Sequence, residues 1–131
     1  MKAQVKTKIN HKGNEYVKKL MKEALVETAD ALKSDLEQSQ TMPYDTGALQ
    51  NRSTFVDDSK KNKGIVTIVS DGPYARYQYF GVSRFGSNPP LVYDRSKNRN
   101  ADCFWFEPYI SGNKKQWATK KFAKIMRGKL K

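Results

Sequence analysis

One cysteine, Cys103, and one histidine, His11, are all that the 131 residues offer of either type. A lone thiol excludes an intrachain disulfide framework, and one thiol with one imidazole leaves no His/Cys cluster for a metal. Nucleophilic catalysis of the Ser/His/Asp or Cys/His kind would need those same two residues, and neither has a suitable context. His11 stands in a polar turn, while Cys103 adjoins Phe104, Trp105 and Phe106, the setting of a small buried apolar side chain. No glycine pattern for cradling phosphate is present. Neither a metal, a cofactor nor a catalytic residue is therefore expected. Apolar runs long enough to cross a bilayer are also missing, and Met1 to Asn14 carries charges throughout in place of a signal-peptide core. A membrane partner is not expected, and the chain should stay in a cytoplasm or leave it by lysis.

Acidic residues are scarce: 13 Asp and Glu face 25 Lys and Arg, a formal charge of +12. Such a balance favours approach to nucleic acid or to an acidic protein surface, and it equally describes a Lys-rich solvated exterior. The hydrophobic share of 37% is enough for a globular chain with a thin core, and the length suits one domain, residues 1–131.

The periodicities give an element order. Ala3, Val5, Thr7 and Ile9 alternate with Gln4, Lys6 and Lys8, as in a half-buried strand over 3–9. Asn14 is placed to cap a following helix. From Glu15 to about Gln40, Val17, Leu20, Met21, Ala24, Leu25, Ala31, Leu32 and Leu36 form one apolar stripe opposite Lys19, Lys22, Glu23, Asp30, Lys33 and Glu37. Pro43, disfavouring helical geometry at Met42, is expected to end that helix. Leu49 to Val56 and Gly64 to Ser70 read as two strands of a hairpin around a polar loop. Tyr74, Tyr77 and Phe80 suit one face of a short helical turn, read as packing on the long helix or as subunit contact. Residues 82–101 form a long basic loop, Phe104 to Pro108 a short aromatic strand, and Lys115 to Leu130 a second amphipathic helix. In that helix Ala118, Phe122, Ile125 and Met126 oppose Lys120, Lys124, Arg127 and Lys131. The fold class is α+β: a long N-terminal helix and a shorter C-terminal helix packed on a small, mainly antiparallel β-sheet.

Two short segments add a resemblance. Pro43-Tyr44-Asp45-Thr46-Gly47-Ala48-Leu49, with Ser53 after it, resembles a segment of the minor capsid and tail-completion (head-to-tail joining, neck) proteins of long-tailed phages. There it joins a long helix to the first hairpin strand. Tyr74-Ala75-Arg76-Tyr77-Gln78-Tyr79-Phe80-Gly81 is similar to a second element of that family, although relatives commonly carry an acidic residue or histidine where Gln78 stands. Phe104-Trp105-Phe106 and Trp117 match a late aromatic stretch loosely. Physically, Asp45, Thr46 and Gly47 suit a tight redirection of the chain, so Pro43, Asp45, Thr46, Gly47, Leu49, Tyr74, Ala75, Tyr77 and Gly81 are read as scaffold.

The resemblance implies a structural virion protein without enzymatic activity, assembled in the host cytoplasm and located at the head-tail junction. Its partners would be identical subunits in a ring and other neck, connector and tail proteins, with non-specific contact to packaged DNA as a further expectation. Arg84, Phe85, Leu91 and Tyr93 in the long loop are the candidate subunit interface. Lys120, Lys124 and Arg127 are the candidate DNA-facing residues, with Arg84, Arg95 and Arg99 next; acidic surfaces on an adjoining ring are the other destination for these charges. The alternative is a free basic nucleic-acid-binding protein or small nuclease, whose cationic candidates would be Arg76, Arg84 and Arg95 beside Tyr77.

Overall fold

The computed structural model describes residues 2–9, 13–40, 42, 54–71, 75–80, 100–101 and 103–130, with the Arg76 side chain excepted. Along the chain come strand β1 (Lys2–Lys6), helix α1 (Glu15–Gln38), strand β2 (Thr54–Asp57), a 3-10 turn (Lys61–Lys63), strand β3 (Ile65–Ser70) and helices α2 (Ala75–Phe80), α3 (Glu107–Ile110) and α4 (Trp117–Lys129). The three strands form one antiparallel sheet in the order β1-β3-β2. Helices and an antiparallel sheet in these positions make the α+β arrangement expected from the periodicities.

The strand register explains the alternation read in the sequence. Ala3 pairs with Ile68 and Val5 with Val66, while Val56 pairs with Ile68 and Thr54 with Ser70. Cross-strand partners point to the same face, so these side chains together form the inner surface of the sheet. Leu25, Ala29, Leu32 and Leu36 of α1, spaced four, three and four residues apart, bury against that surface with Met42, Trp105 and Phe106 in one core. Beside them Leu20, Ala24 and Thr28 are also buried, on a helix whose further neighbour is α4. Thr28 is tolerated there because its hydroxyl donates to the Ala24 carbonyl at 2.7 Å.

Both ends of α1 are satisfied by side chains. At the start the Asn14 carboxamide oxygen accepts from the Tyr16 amide at 2.8 Å and, less closely, from the Val17 amide at 3.4 Å, as its position predicts. The end differs from expectation: α1 stops at Gln38, ahead of Pro43, and Gln40 takes a left-handed φ of 57°. The carbonyls of Ser39 and Gln40 then accept from the Asn100 side chain and backbone amide at 2.9 and 3.1 Å. A residue 61 positions away thus closes the helix.

Three further expectations are corrected. The first strand is shorter than 3–9, ending at Lys6, although the Thr7 amide still donates to the Gly64 carbonyl at 2.8 Å. Residues 104–108 form no strand: Phe104 adopts φ 54° and the chain turns straight into α3. This reversal drives the consecutive residues Trp105 and Phe106 into the core together, which the two-residue alternation of a strand forbids. In α2 the packed residues are Ala75 and Tyr79, four apart, while Phe80 is 46% exposed and Tyr77 half-buried. The packed face is therefore rotated from the one expected at 74, 77 and 80. The strand expected over 49–56 is seen as Thr54–Asp57, its first residues lying outside the described ones.

Gly64 connects the 3-10 turn to β3 at φ 78°, where a Cβ would lie 2.1 Å from the Thr7 carbonyl oxygen. A side chain here both strains the backbone and displaces the extension of β1. Gly64→Ala is expected to cost at least about 2 kcal/mol, adding the left-handed penalty to the clash. Urea unfolding should show a lower midpoint at unchanged slope, whereas an unchanged midpoint would mean that the β1 edge tolerates the side chain.

Candidate functional site

Three groups of side chains stand out: two join residues distant in sequence, and the third is the exposed side of one helix. The innermost is built where β2, β3 and the segment before α3 meet. The Ser70 hydroxyl lies 2.9 Å from the Thr54 hydroxyl and accepts from the Trp105 indole N–H at 3.2 Å, all three groups buried. Tyr79 stands edge-on to Trp105 at 4.8 Å and to Phe104 at 5.5 Å between ring centres. Burial, with a smaller contribution from Glu107, pushes the Tyr79 hydroxyl up to about 12, so it stays protonated across the physiological range. A fully satisfied polar set inside an aromatic cluster fixes packing geometry; it offers no proton to a substrate.

A second group ties the C-terminal third to α1. Asp35 accepts from the Tyr109 hydroxyl at 2.6 Å and from the Lys114 ammonium at 2.9 Å. Lys114 also sits 5.2 Å from the centre of the Tyr109 ring, and Tyr109 meets Trp117 edge-on at 6.1 Å. Burial pushes the Asp35 carboxyl up, but the Tyr109 and Lys114 hydrogen bonds outweigh it and hold the group below the ordinary carboxyl range. Burial and the Asp35 bond raise the Tyr109 hydroxyl well above its usual value. At the far end of α4, Lys129 reaches Glu27 at 3.2 Å and Glu23 at 3.5 Å. Since the last turn of α4 meets Glu23 and Glu27 while the residues before its first turn meet Asp35, α4 runs antiparallel to α1.

The third group is the exposed side of α4. Its inner side carries Ala118, Phe122, Ile125 and Met126, each half-buried as the period predicts, and none of its residues is fully buried. Lys120, Lys124 and Arg127, four and three residues apart, fall on the opposite side and are exposed. None of the three has an ion pair among the described residues, and no Asp or Glu occurs from Lys114 to Lys131. Lys115 and Lys120 border an open recess of about 450 Å³ ahead of α4, which Gly112, Asn113, Gln116 and Trp117 complete. A larger recess of about 510 Å³, between α1 and the turn at Lys61, mixes Glu15, Glu23, Glu27 and Asp58 with Lys18, Lys19 and Lys22, so its field favours neither sign.

Of the residues singled out from the sequence, Ala75 is buried in α2, Tyr77 is half-buried there, and Lys120, Lys124 and Arg127 share one surface. Pro43, Asp45, Thr46, Gly47, Leu49, Tyr74, Gly81, Arg84, Phe85, Leu91 and Tyr93 lie outside the described residues, as do His11, Arg95 and Arg99. Cys103 is half-buried where a buried side chain was expected. Sequence reasoning missed Asp35, Tyr109 and Lys114; a carboxylate near the inner stripe of α1 was the only local signal. Among the described residues no group of three His, Cys, Asp or Glu could hold a metal ion, and no helix is long and apolar enough to cross a membrane. No protein-family model, curated protein or solved structure matches the chain.

The Asp35 clamp predicts a pH dependence. With its carboxyl held low in the folded state, its contribution is complete above the ordinary value of 3.8 and is lost as the pH falls below that through the folded value. Tyr109→Phe should cost about 1–3 kcal/mol near neutrality, the loss of a hydrogen bond to a charged group. Asp35→Asn should destabilise at neutral pH and flatten the acid limb of the stability profile. Urea titrations of both variants from neutral to acid pH check this, and an acid limb unchanged by Asp35→Asn would contradict it.

Proposed function

We propose that the chain is a structural, non-enzymatic subunit of a tailed-phage particle, a ring-forming neck or tail-completion (minor capsid) protein that joins head to tail. The observation that carries this reading is where the two family-like segments fall in the order of elements. Residues 43–49 lie between the end of α1 at Gln38 and the start of β2 at Thr54, the helix-to-hairpin connection that the resemblance implies. Ala75 and Tyr77 follow β3 directly, in a short helix whose Tyr79 packs into the core.

The groups at the junctions of elements also support a scaffold. Ser70, Thr54 and Trp105 satisfy one another, and Asp35, Tyr109 and Lys114 do the same, so their polarity is spent on holding elements together. In this reading the protein resides in the virion, at the head-tail junction. A ring subunit presents two different surfaces to identical neighbours, and the segment 82–101, with Arg84, Phe85, Leu91 and Tyr93, is proposed to supply one. The exposed basic side of α4 favours the other reading, a free nucleic-acid-binding protein, in its binding part only.

Two measurements separate the readings. Particles assembled without this chain should accumulate as filled heads and tails that fail to join, and image reconstruction of complete particles should place the chain in a ring at the neck. Joined, infectious particles lacking the chain would overturn the proposal, and a protein absent from purified particles would favour the free nucleic-acid-binding reading.

A further inference from the structure

We infer that the outer row of α4, Lys120, Lys124 and Arg127, with Lys115 ahead of it, is a binding surface for the phosphate backbone of duplex nucleic acid that reads no sequence. The inference stands apart from the assembly reading, because a single copy of the chain carries the whole surface.

Charge allocation is the first ground. Lys114 and Lys129 are bound to Asp35, Glu23 and Glu27 of α1, so these carboxylates are already engaged on the docked side of α4. Lys115, Lys120, Lys124 and Arg127 are left exposed, the last three on the side of α4 opposite its half-buried apolar residues, with no carboxylate in the segment to offset them. At 1.5 Å per residue the row from Lys120 to Arg127 extends about 10 Å, a straight positive ridge on a rigid helix. A duplex carries a negative charge about every 1.7 Å along its axis, so such a ridge meets several phosphates in any register.

The composition of the row favours backbone contact. Lys115, Lys120 and Lys124 are flexible point charges suited to phosphate oxygens, and Arg127 is the one residue of the row with a planar fork for bidentate base reading. Thr119 and Gly128 are the exposed residues flanking the row within α4, and neither makes such a contact. Binding should therefore be electrostatic, weak for one copy and indifferent to sequence.

Fluorescence anisotropy of a labelled mixed-sequence duplex with the full chain is the test. The expected result is binding whose log affinity falls with log salt at a slope of about −3.6, roughly 0.9 for each of the phosphate contacts made by Lys115, Lys120, Lys124 and Arg127. Lys120→Gln/Lys124→Gln/Arg127→Gln should lower affinity at least about tenfold and flatten that slope to about −1, the share of Lys115. Lys2→Gln/Lys6→Gln/Lys60→Gln removes equal charge from exposed positions elsewhere and should leave both nearly unchanged. Lys120→Arg/Lys124→Arg keeps the charge and should retain binding, which guards against a loss caused by misfolding of α4. Equal losses in the two Gln triples, or binding to polyglutamate as tight as to duplex, would overturn the inference, the latter in favour of an acidic protein partner.

Discussion

The central strand β3 can be stripped of water on both faces only because both of its edges are paired, one with β1 and one with β2. An unpaired edge would leave backbone amides and carbonyls without partners in an apolar setting, at a cost comparable to losing each hydrogen bond. Pairing with β1 joins residues 2–6 to residues 65–69, and the whole of α1 lies between them in sequence. The helix therefore has to cross the sheet as the strands close. Gly64 sits at the pivot, since only a residue without a side chain can bring β3 so close to Thr7. The burial of Val66 and Ile68, and of α1 upon them, follows from that closure.

Aliphatic side chains of α1 and the sheet make up most of this core, and aromatic and polar groups finish it. Trp105 and Phe106 supply large area at one point, and the indole N–H that comes with Trp105 is disposed of on Ser70. The left-handed Phe104 that makes this possible has its own amide donated to the Tyr79 carbonyl at 2.9 Å. Backbone strain on the order of 1–2 kcal/mol is thereby held in place by burial of the two rings that follow it. The same economy holds at Asp35, where a carboxylate too close to the core to be free is useful as an anchor for Tyr109 and Lys114.

What was legible in the sequence follows from this division. Elements defined by local period were readable: the alternation around β1, the Asn14 cap, the stripe of α1, the β2-β3 hairpin and the two-sided α4. Features set by distant partners were not. The end of α1 depends on Asn100, and the clamp on α1 joins Asp35 to residues 74 and 79 positions away. The aromatic run at 104–106 read as a strand because nothing local announces a positive φ at Phe104. In α2 three aromatics fit a helical face equally well on either side of the turn, and the choice of Tyr79 over Phe80 belongs to the core that receives it. The basic row was legible for the opposite reason: charge on one side of a helix is a property of period alone.

That row is costly to its own helix. Lys120 and Lys124 are like charges one turn apart, which destabilises an isolated helix by about 0.2–0.5 kcal/mol, and no carboxylate within α4 relieves them. Nor does deep burial compensate, because no residue of α4 is fully buried. Docking on α1 has to supply the difference, through half-buried Phe122, Ile125 and Met126 and through the Lys114 and Lys129 pairs at either end. Carboxylates placed along α4 would have stabilised it more simply, at the expense of its exposed field. The chain instead puts the neutralising acids on α1, on the docked side, and that arrangement holds the helix while leaving its outer charge intact.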